Sequence, residues 1–153
     1  MIDLKPHFIT VERPYKEGTV EVFEQEIAAK GVKKAELAIT ALGVFLAPGY
    51  TYYPKDLHVQ VYDVTNMLSE RSVLKVYLGQ GWYCGRFTCD NKTQIYGEKP
   101  AVSWVLTVEA EDGAVYYCSD DSTVKAVLSP YESAGEYDGE IHFAEGAPRE
   151  SAD

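Results

Sequence analysis

Long apolar runs are absent from this sequence, and their absence excludes two classes of protein. No run approaches the ~20 apolar residues that a helix needs to cross a bilayer. The N-terminal stretch MIDLKPHFITVERPYKEG also lacks the continuous apolar segment of a secretory signal peptide. We therefore expect no association with a membrane, and we expect a cytoplasmic location.

Positive charge is scarce as well. The 153 residues include 14 Lys and Arg against 24 Asp and Glu, which gives a formal net charge of −10 at pH 7. A chain with this balance repels phosphate backbones and lacks the basic surface that nucleic-acid binding requires. We therefore expect no nucleic-acid partner.

Residues that form disulfides or zinc sites are few. The three cysteines, Cys84, Cys89 and Cys118, are odd in number and show no CxxC spacing. The three histidines lie far apart along the chain. The sequence thus indicates neither a zinc site nor a disulfide framework, and we expect the cysteines to be buried free thiols.

The residues that are abundant are those of a folded domain. Hydrophobic residues make up 46% and charged residues 25% of the chain, whose length suits one domain with its own core. The sequence is rich in aromatic residues, with 12 tyrosines and 2 tryptophans. Such rings serve either as core filling or as platforms on which sugars stack, and composition does not choose between these roles.

Short segments of alternating polarity, separated by turn residues, predict an all-β sandwich or barrel. Residues 19–27 alternate Val20 and Val22 with a polar face, which favours a strand over the alternative of a helix, and residues 34–41 have a period of two. Pro48-Gly49 and Asp112-Gly113 are turn signals, and we expect sequential neighbours to pair antiparallel. Further strands are predicted at 58–62, 73–78, 102–110, 115–119, 123–127 and 138–143.

Six strings, in order, resemble the N-terminal domain of bacterial α-L-rhamnosidases. They are AITALGVF (38–45), LAPGYTYY (46–53), VYDVTNML (61–68), LGQGWYCGRF (78–87), YGEKPAVSWVLTVEAEDG (96–113) and SPYESAGEYDGEIHF (129–143). The resemblance implies a jelly-roll-like antiparallel β-sandwich that precedes a larger catalytic α-helical barrel, which is absent here. We expect a module over residues 19–144, an N-terminal extension over 1–18 and a flexible tail or linker over 145–153.

The resemblance implies a non-catalytic accessory module that binds a rhamnose-containing glycan or packs against a catalytic glycosidase domain. In one respect the sequence departs from the family, because Phe45 runs directly into Leu46 where relatives carry another strand and an Asn-Gly turn. Either neighbouring strands close this gap or the sheet keeps an exposed edge through which the chain forms a homo-oligomer. The alternative function is a structural fragment that packs against a partner without binding sugar.

The glycine-rich loop over residues 79–87 is the first candidate binding site. Trp82 and Tyr83 offer rings that stack on a pyranose, and Arg86 offers donors to its hydroxyl groups. The alternative is that Trp82 fills the core and that Arg86 pairs with an acidic neighbour such as Asp90. Tyr50 and Tyr52 form a second candidate surface, although alternate tyrosines also suit packing between strands.

Acidic residues provide the remaining candidates. Asp90 and Asn91 offer oxygen ligands of the kind that calcium prefers, although such residues also occur in solvated turns. We expect no other cofactor. A glycosidase needs two carboxyl groups across a sugar ring, and no spacing singles out such a pair here. No GxSxG, HExxH or phosphate-binding loop is present either, so we expect no enzyme activity from the chain on its own.

Overall fold

Two antiparallel sheets, packed face to face, form the framework of the protein. The computed structural model describes residues 5–12, 19–42, 45–46, 49–50, 59–84, 94, 96–133 and 141–143. Four strands lie in each sheet, and the predicted fold class, an all-β, jelly-roll-like antiparallel β-sandwich, is confirmed.

The described residues contain ten strands, one helical turn and one 3-10 turn. The strands are β1 (Thr19–Ala28), β2 (Lys34–Ala41), β3 (Phe45–Leu46), β4 (Gly49–Tyr50), β5 (Gln60–Asp63), β6 (Arg71–Leu78), β7 (Val102–Ala110), β8 (Gly113–Cys118), β9 (Lys125–Ser133) and β10 (Ile141–Phe143). The helical turn is α1 (Gly81–Cys84), and the 3-10 turn covers Thr65–Met67. Within the described residues, no helix is both long and apolar enough to cross a membrane.

The front sheet has the strand order β10-β9-β1-β6, and the back sheet has the order β5-β2-β7-β8. Strands β3 and β4 pair with each other as a small separate antiparallel sheet, and Pro48 of the predicted turn lies outside the described residues. Sequential neighbours pair at β7–β8 and β9–β10, but β1 and β2 lie in different sheets. That part of the prediction was wrong, because both edges of β1 are taken by β6 and β9.

The core lies between the sheets and consists of two clusters. Phe23 of β1 meets Trp104 of β7 edge to face, with ring centroids 6.2 Å apart, at the centre of the first cluster. Ile27 and Leu106 belong to the second cluster. Because these side chains come from both sheets, their burial holds the two layers together.

The face of β1 that carries Val20 and Val22 would be expected to face the core, but the opposite face does so. Glu21, Phe23, Gln25 and Ile27 face inward, whereas Val20 and Val22 lie on the outer side. The two inward polar residues are both fully buried. They are tolerated there because each has hydrogen-bond partners inside the protein.

Gln25 joins three strands from within the core. Its Oε1 accepts a hydrogen bond from Trp104 Nε1 at 2.9 Å, and its Nε2 donates to the carbonyl oxygen of Cys118 at 3.2 Å. Trp104 and Cys118 lie on β7 and β8, so one side chain of the front sheet bonds to two strands of the back sheet. This network fixes the position of β1 over β7 and β8.

Residues 5–12 lie against one end of the sandwich. Ile9 forms two backbone hydrogen bonds with Val102, of 2.9 and 3.0 Å, and its side chain packs on the first core cluster. Glu21 accepts hydrogen bonds from the Thr10 hydroxyl at 3.3 Å and from the Val11 amide at 3.1 Å. The division of the chain at residues 18 and 144 stays a prediction.

The turn after β5 is closed by the side chain of Asp63. Its Oδ1 accepts hydrogen bonds from the Thr65 amide at 3.0 Å and from the Thr65 hydroxyl at 2.6 Å. These bonds favour the ionised carboxylate and hold the pKa of Asp63 below its ordinary value. The Thr65 hydroxyl oxygen also accepts from the Ala35 amide at 2.9 Å, which ties the turn to β2.

Candidate functional site

The first candidate segment contains a helical turn where the sequence predicts a loop. Two residues separate β6 from α1, in which the Cys84 amide donates to the carbonyl oxygen of Gln80 at 3.4 Å. Among the described residues, Cys84 and Cys118 are not in disulfides; Cys84 is fully buried, as expected, whereas Cys118 is half-buried. Cys89 lies outside the described residues.

The chain returns to α1 ten residues after leaving it. The Gln94 amide donates to the carbonyl oxygen of Cys84 at 3.2 Å, and the Tyr96 amide donates to that of Tyr83 at 3.3 Å. Gln94 has a φ of 56°, in the left-handed region that non-glycine residues adopt infrequently. These two hydrogen bonds hold residues 94 and 96 next to α1, and we call this contact the closed base.

Tyr83 packs at this base against Gly97. A Cβ atom added to Gly97 would lie 2.7 Å from both Cζ and Oη of the Tyr83 ring, which is too close for any side chain. Tyr83 is half-buried, so part of its ring is occupied by this contact and part is accessible. Gly97 is therefore required for the position of Tyr83, a role that the glycines of the loop itself did not suggest.

Of the predicted sugar-contacting residues, the structure brings Trp82 and Tyr83 together on α1. The side chain of Trp82 and the whole of Arg86 lie outside the described part of the chain. Tyr50 is the last residue of β4, where its backbone pairs with Phe45. The roles of these side chains, whether in sugar binding or in packing, stay predictions.

Tyr52 and the predicted calcium ligands, Asp90 and Asn91, also lie outside the described residues. In the part of the chain that the structure describes, no group of three or more His, Cys, Asp or Glu side chains is placed to hold a metal ion. A calcium site at Asp90 and Asn91 therefore stays a prediction.

A shallow cleft on the outer face of the front sheet was not anticipated from the sequence. Its volume is about 40 Å³, and it is lined by Glu24, Glu26, Val73, Thr123 and Lys125. Lys75 lies 3.0 Å from Glu24, and Lys125 lies 3.5 Å from Glu26. Pockets that enclose a small ligand are typically about 300–1,000 Å³, so this cleft is far too small to surround a sugar.

Comparisons with known proteins agree on one family. The profile described as "Alpha-L-rhamnosidase N-terminal domain" matches residues 30–150. The α-L-rhamnosidase of Streptomyces avermitilis is 33% identical over 135 residues, which are 79% of this chain and 13% of that protein. The profile match begins after β1, although β1 lies at the centre of the front sheet.

Solved structures show the same relationship. The native α-L-rhamnosidase of Aspergillus terreus superposes with a TM-score of 0.64 at 28% identity, covering 86% of this chain and 16% of that one. The Streptomyces avermitilis α-L-rhamnosidase, complexed with L-rhamnose, gives a TM-score of 0.63 at 31% identity, covering 75% and 13%. The chain thus spans less than a fifth of the length of these relatives.

Proposed function

Because the chain belongs to the family of α-L-rhamnosidase N-terminal domains, we propose that it is a non-catalytic accessory module of a glycoside hydrolase of that type. The observation that carries this proposal is the extent of the similarity. It covers most of this chain and only 13–16% of the two enzymes described above. The active site of such an enzyme is then expected in the much longer remainder.

The contacts of four described carboxylates support a non-catalytic role. A glycosidase holds two carboxyl groups across a sugar, roughly 5–10 Å apart, and one of them must carry a proton. Here Glu24 and Glu26 are engaged by lysines, Glu21 by the Thr10 hydroxyl and the Val11 amide, and Asp63 by the Thr65 turn. Each of these four therefore has a structural task.

We further propose that the segment from Trp82 to Arg86 contacts a rhamnose-containing glycan. Its support is the closed base, where Gln94 and Tyr96 bond to the backbone of α1 and the Tyr83 ring packs closely against Gly97. Rigidly held aromatic rings stack on the apolar face of a sugar with little loss of entropy. A relative that is complexed with L-rhamnose makes this sugar the first ligand to test.

The test is a titration of L-rhamnose into the purified chain, with and without calcium, followed by tryptophan fluorescence. We expect saturable quenching that is lost in Trp82→Ala and retained in Tyr77→Ala, a matched control whose side chain is 53% exposed on the front sheet. Trp104 is buried in the core and contributes a constant background. Absence of saturation in every condition would refute sugar binding and leave the accessory role intact.

The second candidate function is a structural module that packs against another domain without binding sugar. The observation that favours it is the exposure of two nearby valines at the edge of the back sheet, Val61 of β5 at 60% and Val59, which directly precedes β5, at 57%. Sedimentation of the chain over a range of concentrations provides a first test, because a bare interaction surface promotes self-association. A strictly monomeric chain with saturable rhamnose binding would favour the first candidate.

A further inference from the structure

One row of side chains crosses the whole outer face of the back sheet and is apolar from edge to edge. It consists of one residue from each strand, paired in register: Val61, Ala38, Val105 and Cys118. We call these four residues the apolar row. Their neighbours in sequence face the core, so by the alternation of a strand the row points away from it.

This row departs from the usual pattern of a sandwich, in which the outer face of a sheet is polar. Neighbouring strands lie about 4.8 Å apart, so the row extends over about 14 Å. Val61, at its β5 end, is 60% exposed, and Val59 beside it is similarly exposed. Such a surface gains stability when a second surface covers it.

The outer face of the front sheet mixes charged and apolar rows. Its central row pairs Lys75, Glu24 and Lys125 in register, and Lys75 and Glu24 form an ion pair of 3.0 Å. Val20 and Val22, which also lie on that outer side, are only 7% and 4% exposed, so the chain itself already buries them. The next row of the front sheet pairs Tyr77, Val22 and Val127, and its two ends are 53% and 52% exposed, but it crosses three strands. The back sheet therefore differs in having an apolar row that crosses all four of its strands.

Acidic residues border the apolar row on two sides. Asp63 and Glu36 occupy the adjacent register row, and Asp120 and Asp121 follow Cys118. Partial burial, and then the charges of Asp120 and Asp121, raise the pKa of the Cys118 thiol at one end of the row. A complementary surface would present apolar side chains flanked by Lys or Arg.

We propose that the apolar row is the docking surface for the remainder of an α-L-rhamnosidase-type polypeptide, which meets it with an apolar patch bordered by basic residues. This inference rests on the proposed function. The partner follows from the comparisons, because the matched relatives continue for more than five times the length that this module covers. Interfaces between domains of one chain bury roughly 600–1,500 Å², and the covalent link makes even a modest surface sufficient.

The experiment places this chain in the Streptomyces avermitilis α-L-rhamnosidase, in exchange for the segment that it matches. Cys118 serves as the probe, since alkylation of its thiol, measured by mass spectrometry of its peptide, reports whether the row is covered. Val61→Glu introduces a charge into the row. Val127→Glu is the matched control, because Val127 is 52% exposed on the outer face of the front sheet.

We expect the exchanged enzyme to hydrolyse an aryl α-L-rhamnoside and to alkylate at Cys118 more slowly than the isolated chain does. Val61→Glu should abolish that protection, whereas Val127→Glu should keep it, and both isolated variants should melt at the wild-type temperature. An active enzyme with unprotected Cys118, or with equal effects of the two variants, would overturn the docking surface and leave the proposed function standing. An exchanged enzyme that is misfolded and inactive would count against the proposed function itself.

A second copy of the chain is the competing occupant. In that case Cys118 of the isolated chain would become protected as its concentration rises, with a dimer in sedimentation that Val61→Glu dissolves. That result would also overturn the docking of the enzyme remainder on this row.

Discussion

The buried hydrogen bonds of Gln25 provide a quantitative test of how the sandwich is held together. Gln25→Leu keeps the size of the side chain but removes the acceptor of the Trp104 Nε1–H group. The carbonyl oxygen of Cys118 loses one bond and keeps another, from the Asp121 amide at 3.2 Å. The cost therefore comes mainly from one buried donor without a partner, which is worth about 1–3 kcal/mol.

For a domain of this size, about 2 kcal/mol corresponds to a fall in melting temperature of roughly 4–8 °C. The assay is urea denaturation followed by circular dichroism, which does not depend on either tryptophan. Glu26→Gln is the control, since Glu26 is the next residue of β1 and its side chain is 79% exposed on the outer face. Its effect should stay within about 0.5 kcal/mol.

A double-mutant cycle makes the test specific. Trp104→Phe removes the donor, so in that background Gln25→Leu should cost clearly less than it does in the wild type. An equal cost in both backgrounds would show that the bond between Gln25 and Trp104 does not contribute. If Gln25→Leu costs almost nothing in the wild type, the view that the Gln25 side chain faces the core and bonds there would be refuted.

Three further predictions concern other contacts of the sandwich, each measured by urea denaturation. Tyr117→Phe removes a hydroxyl that accepts a hydrogen bond from the Ala28 amide at 3.1 Å and donates one to the Ala28 carbonyl oxygen at 2.8 Å. It should lower the free energy of unfolding by about 1–2 kcal/mol, and an unchanged free energy would contradict a structural role of this hydroxyl. Asp63→Ala should be less stable than the wild type at pH 7. Because the pKa of Asp63 is lowered in the folded protein, this difference in stability should shrink as the pH falls below 3.8. A difference that does not depend on pH would refute the view that the ionised Asp63 carboxylate stabilises the turn. Removal of residues 1–12 should destabilise the sandwich, because Ile9 and Val11 pack on its core; unchanged stability would show that this segment is dispensable.

The sequence predicts strands well where one face is apolar. The bounds of β2 and β7 match the predicted residues 34–41 and 102–110, because each strand buries alternate side chains on one side of the back sheet. The inward face of β1 could not be predicted in the same way. Its partners for Gln25 lie 79 and 93 residues further along the chain, so nothing local reveals that this amide is buried.

The candidate site was predictable in part. Glycines around Trp82 predict a loop, but the helical turn α1 is held by backbone donors of Gln94 and Tyr96, which follow the glycine-rich segment. The contact between Tyr83 and Gly97 likewise depends on the way the chain returns to α1. The apolar row needed the register of four strands, since Val61, Ala38, Val105 and Cys118 come from four separate segments.

The most direct test of the central claim is hydrolysis of an aryl α-L-rhamnoside by three preparations. These are the isolated chain, the Streptomyces avermitilis enzyme without the segment that this chain matches, and the same enzyme with this chain in its place. An accessory module predicts no hydrolysis by the isolated chain and higher activity or thermal stability of the enzyme that carries it than of the shortened enzyme. Hydrolysis by the isolated chain that a single carboxylate substitution abolishes would contradict the account.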